Sequence, residues 1–317
     1  MNPILDKIIK NNFAVILGIF VIYITLILYG DIEKFLHFAM HIDIPKIMLA
    51  LALIGVSTGL FALRFHRFVR ALEIEINIKK SIMIYFFGLA FSITPFNSGT
   101  LIKSHILKKE VGSPITKTLP IMLAEKWNEL AALVLFLNIF VILHYSLEST
   151  IIVIFGTALV LAFLVIARNS EMFCIFKKIL SKISFLKKLQ ENMDELRESM
   201  LILTNRRNIL ESFGLSTLSK TLEVIAVILT FQAIGFNLGM ISEGQAYYSG
   251  VFLGFISLLP GGLGITEGSM LGLLLKHGGD FALASTTVIL VRLVTFWLPT
   301  TIGLASMKYF MKEKFSF

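Results

Sequence analysis

The sequence predicts an all-α, polytopic integral membrane protein, with about six full spans and two re-entrant broken helices in an inverted repeat. Three observations predict it. Of 317 residues, 56% are hydrophobic and 16% charged, with a mean hydropathy of +0.82. Soluble domains average about 45–50% apolar and about 25% charged. A water-soluble globule is excluded, and so is disorder, which needs low hydrophobicity. The apolar residues are gathered into runs close to the ~20 residues that cross a bilayer core. Two further runs are interrupted by proline and glycine.

The elements follow in chain order. Lys7 and Lys10 precede the run Phe13–Tyr29, which is longer than the roughly 7–15 residues of a signal-peptide core and reads as a retained first span. Further full spans are Ile44–Leu63, Thr118–Leu143, Ile151–Ala167, Phe213–Phe236 and Phe281–Met307. Ile82–Ile93 runs into Thr94-Pro95-Phe96-Asn97-Ser98-Gly99, and Tyr247–Leu259 into Pro260-Gly261-Gly262-Leu263-Gly264. Each arm is too short to span, and each helix should break where proline removes a donor and glycine loosens the chain. The chain reads as a single transmembrane domain over 1–317, with half 1 at about 1–167, a cytoplasmic amphipathic linker at about 168–212 and half 2 at about 213–317.

Sidedness follows from the cations. The formal net charge is +8, and most Lys and Arg flank apolar runs. That placement suits anionic lipid headgroups, at about 1 kcal/mol per cation near the surface, rather than nucleic acid. With both broken segments as hairpins, one side collects Arg64, Arg67, Arg70, Lys103, Lys108, Lys109, Lys117 and the stretch Arg168–Arg207. The other side collects Asp31, Glu33, Asp43, Glu148, Glu243 and Asp280, with only Lys34, Lys46 and Lys276 as cations. By the positive-inside rule both termini are then cytoplasmic, and the protein sits multi-pass in the cell membrane. The two hairpins enter from opposite faces, the pattern of discontinuous helices that meet near the midplane. In the linker, Ile183, Leu186, Leu189, Met193, Leu196, Met200 and Leu203 are spaced as an amphipathic helix on the cytoplasmic leaflet, a link between repeats or a docking element for a membrane enzyme partner.

The informative residues are charges inside spans. Glu125, Lys126, Glu129, Glu223 and Arg292 would together cost roughly 12–18 kcal/mol if unpaired. They must pair or face a wet cavity. Glu125 and Glu129 share a helix face one turn apart. Arg292 is their expected partner, because its planar fork grips a carboxylate or a phosphate. Lys126 lies off that face and is expected to snorkel. Glu267 lies where it can cap the half-helix that begins after Gly264, a terminus that otherwise attracts anions. Asn97 and Ser98 offer polar groups at the first hairpin tip, with Lys103 at its cytoplasmic exit. Cys174 is the single cysteine, so no internal disulfide forms; His37 and His41 read as a surface pair. No metal-ligand set, cofactor motif or nucleophile–base pair is visible, so no cofactor, metal or enzymatic activity is expected.

Four stretches resemble the lysylphosphatidylglycerol synthase/flippase transmembrane family. Leu259-Pro260-Gly261-Gly262-Leu263-Gly264-Ile265-Thr266-Glu267-Gly268 looks like that family's Pro-Gly-Gly-Leu-Gly-x-x-Glu signature. Pro95 to Lys103 is similar to its Pro-x-x-x-Gly-Glu-x-x-Arg, with Gly99 kept, Thr100 in place of the acid and Lys103 in place of the arginine. Glu125-Lys126-x-x-Glu129 resembles its Glu-Arg-x-x-Asp, and Arg292 with Trp297 and Pro299 resembles its last motif. The resemblance implies a translocase-like domain that moves an anionic phospholipid or polyprenyl-linked headgroup, bound by Arg292, Glu125, Glu129, Glu267, Lys103, Asn97, Ser98, Gly261, Gly262 and Gly264. Pro95, Gly99 and Pro260 would mark the helix breaks. The chain ends at Phe317, where lipid-aminoacylating relatives continue into a soluble synthase domain, so that activity is not expected. The alternative is a non-catalytic accessory protein of a lipid- or glycan-modifying membrane enzyme.

Overall fold

The computed structural model describes residues 21, 23–25, 27–29, 32–94, 101–180 and 193–314. Among them every regular element is a helix. In order these are α1 (Ile32–Met40), α2 (Ile44–Ala71), α3 (Ile78–Leu89), α4 (Leu101–Val111), α5 (Ile115–Leu143), α6 (Leu147–Arg168) and α7 (Ser170–Leu180). They continue as α8 (Met193–Leu203), α9 (Arg206–Ala233), α10 (Met240–Ile256), α11 (Ile265–Lys276), α12 (Phe281–Arg292) and α13 (Leu298–Lys314). Several helices, α2, α9 and α12 among them, start at side-chain caps, which satisfy amides that have no partner in the first turn. Asp43 accepts from the Lys46 amide, Asn205 from Asn208, and Asp280 from Ala282 and Leu283. Hydrogen bonds from Lys46 also hold the Asp43 carboxyl below its ordinary range.

Five helices are long and apolar enough to cross a membrane: Ile44–Ala71, Ile115–Leu143, Leu147–Arg168, Arg206–Ala233 and Phe281–Met307. They include five of the spans read from hydropathy. Most of the sixth, Phe13–Tyr29, lies outside the described residues. The helices run past the predicted ends, because hydrogen bonding continues after the apolar run stops. Thus α2 extends beyond Leu63 through Arg64, Arg67 and Arg70.

Both interrupted segments fold back as helical hairpins. At the base of the first, Lys80 at the start of α3 pairs with Glu110 at the end of α4. Halfway up, Gly88 leaves room for the Lys103 stem, which a Cβ there would meet at 2.7 Å. In the second, a Cβ on Gly250 would stand 2.9 Å from the Thr266 carbonyl, and one on Gly254 would stand 2.0 Å from Thr266 Oγ1. The base of this hairpin lies at the α5–α6 turn: Gln245 donates to the His144 carbonyl, and the His144 and His277 rings stand 6.0 Å apart. Burial, then the neighbouring His144 and Lys276, pulls the pKa of His277 below the usual histidine value. The first hairpin returns beside the start of α5 and the second beside its end, so the two bases occupy opposite ends of the bundle.

The close contact at Gly254 gives a direct expectation. Gly254→Ala should lower the thermal midpoint by an amount equivalent to about 1–3 kcal/mol, the usual cost of overpacking. Adding Thr266→Ala should restore part of it. A neutral Gly254→Ala, measured by thermal unfolding in detergent, would contradict this packing.

The element order long helix, hairpin, long helix occurs twice. It runs α2, α3/α4, α5 in the first half and α9, α10/α11, α12–α13 in the second. Helices α2 and α9 have 28 residues each and pack antiparallel: the Asp43 amide donates to the Ala233 carbonyl at one end, and Arg67 pairs with Glu211 at the other. At the middle of this seam Ser57 Oγ donates to the Ser219 carbonyl at 3.1 Å, while Ser219 Oγ donates to the Ser57 carbonyl at 3.3 Å. The exchange is what a local two-fold axis between the halves would produce.

The predicted helix over Ile183–Leu203 is described only from Met193. There the expectation of a helix lying on a leaflet is corrected. Met193, Leu196 and Met200 are buried against Ala167 and Phe173, with Leu119 and Leu123 beside them. The apolar stripe packs on protein, and Thr116 Oγ1 donates to Glu195.

Candidate functional site

A cavity of about 350 Å³ lies at mid-height, where the two halves meet. Ser57 of α2, Glu129 of α5, Lys220 of α9 and Arg292 at the end of α12 line it, each from near the middle of its long helix. The first hairpin adds Tyr85 and Ser92, and the break of the second adds Gly261 and Gly262. Both hairpins therefore contribute to the wall of one chamber.

The second break is built by residues that few side chains could replace. Gly261, Gly262 and Gly264 have φ of 59°, 68° and 81°, a left-handed region open to glycine at little cost. Leu258 also adopts φ 58°, where a branched side chain is strained. A Cβ on Gly261 would lie 2.4 Å from the Phe296 ring. After the break, Glu267 stands in the first turn of α11 and accepts the Gly264 amide on Oε2 at 2.7 Å. Its Oε1 accepts from Arg292 Nε at 2.6 Å, and Arg292 Nη2 donates to the Gly261 carbonyl at 2.8 Å. Arg292 thus ties α12 to both sides of the break, with its guanidinium 4.4 Å from the Phe296 ring centre. A five-residue π turn, Leu293–Trp297, follows it at once. Such turns disrupt the helical ladder and concentrate at functional positions.

Opposite stands a second charged group. Glu129 accepts from Arg64 Nη2 at 3.0 Å and from Lys126 Nζ at 2.8 Å. Arg64 is fully buried, and its Nη1 donates to Ser216. On α9, Lys220 Nζ reaches both Glu223 oxygens at 2.7 and 2.8 Å, and Tyr247 donates to the same carboxylate at 2.9 Å. Behind the wall, Lys103 Nζ donates to Glu125 Oε2 at 2.6 Å. Among the described residues in and directly behind the wall, five cations face four carboxylates: Arg64, Lys103, Lys126, Lys220 and Arg292 against Glu125, Glu129, Glu223 and Glu267. The chamber keeps a surplus of one positive charge, suited to a singly charged anion such as a phosphodiester.

Residues 13–303 match the family described as the lysylphosphatidylglycerol synthase TM region. The chain belongs to this family. Among relatives, a UPF0104 membrane protein of Pyrococcus horikoshii is 24% identical over 320 residues, covering 93% of this chain and 95% of its own. One of Methanothermobacter thermautotrophicus is 24% identical over 329 residues, covering 95% and 96%. One of Methanocaldococcus jannaschii is 21% identical over 330 residues, covering 97% of both chains. A location in a membrane follows from the family and from the apolar helices.

In this chain the expected ion pairs are partly redrawn. Arg292 was expected to pair with Glu125 or Glu129; it pairs with Glu267, because the break turns the first residues of α11 toward α12. Glu129 goes to Arg64 and Lys126, so Lys126 does not merely snorkel. Lys103 is not at an exposed exit: it is 4% exposed and reaches Glu125 along a groove left by Gly88. At the start of α11 Glu267 takes the Gly264 amide, while just before it Gly262 and Leu263 donate to Leu259 and Pro260. Of the predicted site, Glu129, Arg292, Gly261 and Gly262 line the chamber, while Glu125, Lys103, Glu267 and Gly264 stand behind it. Pro260 opens the short 3-10 turn at the second break. Asn97, Ser98, Pro95 and Gly99 lie outside the described residues. Arg64, Lys220, Tyr85 and Tyr247 were missed. The i,i+3 spacing of Lys220 and Glu223 was the signal available for one of them.

Proposed function

We propose that this chain moves a polar lipid carrying a single phosphate between leaflets, with the headgroup held in the mid-height chamber and the acyl chains left in the bilayer. The surplus cation of that chamber carries the reading, because an interior that balances its charges needs no further anion. The broken segments act as re-entrant helices entering from opposite faces of the cell membrane, with both termini cytoplasmic. The repeated element order and the antiparallel α2–α9 seam support rocking of one half against the other around a fixed site. Arg292 holds the phosphate, and Lys126 and Lys220 exchange their carboxylates for it as it passes. The chain is read as a transporter and not as an enzyme.

The test is reconstitution into phosphatidylcholine vesicles containing a trace of headgroup-labelled phosphatidylglycerol, with a membrane-impermeant quencher added outside. The quenched fraction should rise from the outer-leaflet share toward the whole, far faster than in protein-free vesicles. A second set with a labelled polyprenyl phosphate separates the two lipid classes. Protein-free kinetics with both lipids would overturn the proposal.

A further inference from the structure

The repeat places a buried ion pair at corresponding points of the two halves, with reversed polarity. In the second half the carboxylate, Glu267, is the third residue after the break and its cation, Arg292, lies on the following long helix. In the first half the cation, Lys103, is the third residue of α4 and the carboxylate, Glu125, lies on the following long helix. The two carboxylates are not equally satisfied. Glu267 uses both oxygens, one on Arg292 and one on the Gly264 amide. Glu125 uses Oε2 on Lys103, while its Oε1 is buried and meets no donor among the described residues. The partners differ as well. Arg292 reaches Glu267 and the Gly261 carbonyl at once with its planar fork, whereas Lys103 meets Glu125 with a compact ammonium. That ammonium is otherwise flanked by rings, 5.0 Å from the Phe65 centre and 5.1 Å from that of Tyr85.

We infer that Glu125 is the proton site of the protein: it takes up a proton when the first hairpin draws Lys103 away and releases it when the pair re-forms. The step is a plain protonation. Water supplies the proton, Glu125 Oε1 accepts it, and Lys103 keeps its own as its ammonium moves off with α4. The bare oxygen provides the place for that proton, and parting the pair removes the charge that kept the carboxylate ionised. Glu267 has both oxygens engaged, and its partner Arg292 is held at a second point by the Gly261 carbonyl. Lys103 on α4 bonds Glu125, and Tyr85 on α3 lies within reach of its charge; Glu129, one turn along α5, is held by Lys126 and by Arg64 of α2, with Lys220 of α9 near it. Tyr85 also lines the chamber, so it forms the partition between proton site and lipid site. An anion entering on the other side raises the proton affinity of Glu125, and protonation of Glu125 favours the anion by the same factor.

The inference deepens the translocase reading and rests on it for what the proton accomplishes, but its first test does not involve transport. Protein in phosphatidylcholine nanodiscs is stepped from alkaline to acid buffer and followed by infrared difference spectroscopy. A carbonyl band of a protonated carboxyl group should appear, be absent in Glu125→Gln, and persist in Glu148→Gln. In Lys103→Met the same band should appear at a pH at least about one unit higher, a tenfold gain in proton affinity. A band unchanged in folded Glu125→Gln overturns the inference, and so does an unshifted midpoint in Lys103→Met, the readout that decides if Glu125→Gln does not fold. In phosphatidylglycerol-containing vesicles, wild-type lipid exchange should depend on pH and Glu125→Gln exchange should not. A correct infrared result without lipid exchange would sink the translocase reading and leave the proton site standing.

Discussion

Replacing Arg292 by alanine is expected to return lipid exchange to the protein-free rate and to destabilise the fold. Both effects have one cause. Arg292 joins Glu267 to the Gly261 carbonyl across the second break, and both side chains are buried. Alanine leaves the Glu267 carboxylate with the Gly264 amide alone. Removing one partner of a buried pair costs about 3–5 kcal/mol, because the remaining charge cannot reach water. Arg292→Lys separates stability from function. A lysine retains the charge near Glu267 but offers a compact ammonium where a planar fork reaches two acceptors. Most of the thermal midpoint should return. Exchange should stay about ten- to a hundredfold slow, the value of a charged hydrogen bond of about 1.5–3 kcal/mol. Quenching kinetics in vesicles and thermal unfolding in detergent measure the two quantities. Wild-type exchange by Arg292→Ala would show that the guanidinium serves the fold alone.

The second large effect is expected at Glu129. This carboxylate is shared by Arg64 and Lys126, and Arg64 has no exposure through which to recover water. Glu129→Gln should therefore cost about 3–5 kcal/mol, seen as a lowered thermal midpoint. Glu211→Gln is the contrast. Its partner Arg67 is about half exposed, and such a surface pair contributes only about 0–1 kcal/mol. The double variant Arg64→Met/Glu129→Leu removes both buried charges with similar volume, and most of the lost stability should return. Equal midpoints for Glu129→Gln and Glu211→Gln would refute the account. A double variant no better than Glu129→Gln alone would show that Arg64 and Glu129 do not depend on each other.

Five of the spans and the second break were legible in the sequence because they depend on local physics. Apolar length decides which helices cross, and Pro260 with three left-handed glycines decides where α10 and α11 part. The side-chain partners were not legible. Lys103 and Glu125 are 22 residues apart, Arg292 and Glu267 25, and Arg64 and Glu129 65. Choosing among the candidate acids needs the tilt of each hairpin against its neighbours, which hydropathy does not carry. Arg64 shows the same limit at a helix end. By charge it belongs with the surface cations Arg67 and Arg70, yet α9 crosses close enough at Ser216 to bury it. At the middle of the α2–α9 seam Ser57 and Ser219 exchange hydrogen bonds, and nothing in their local sequence announced that they would meet.

That seam has a consequence for energetics. Were the halves identical, tilting them one way or the other about Ser57 and Ser219 would yield a single shape seen upright and upside down, and neither would be preferred. Any bias must come from where the halves differ. The swapped signs at Lys103–Glu125 and Glu267–Arg292 are such a difference: under the rocking proposed above, an applied voltage or an acid gradient would act unequally on the two tilts and so supply a direction that the scaffold alone lacks.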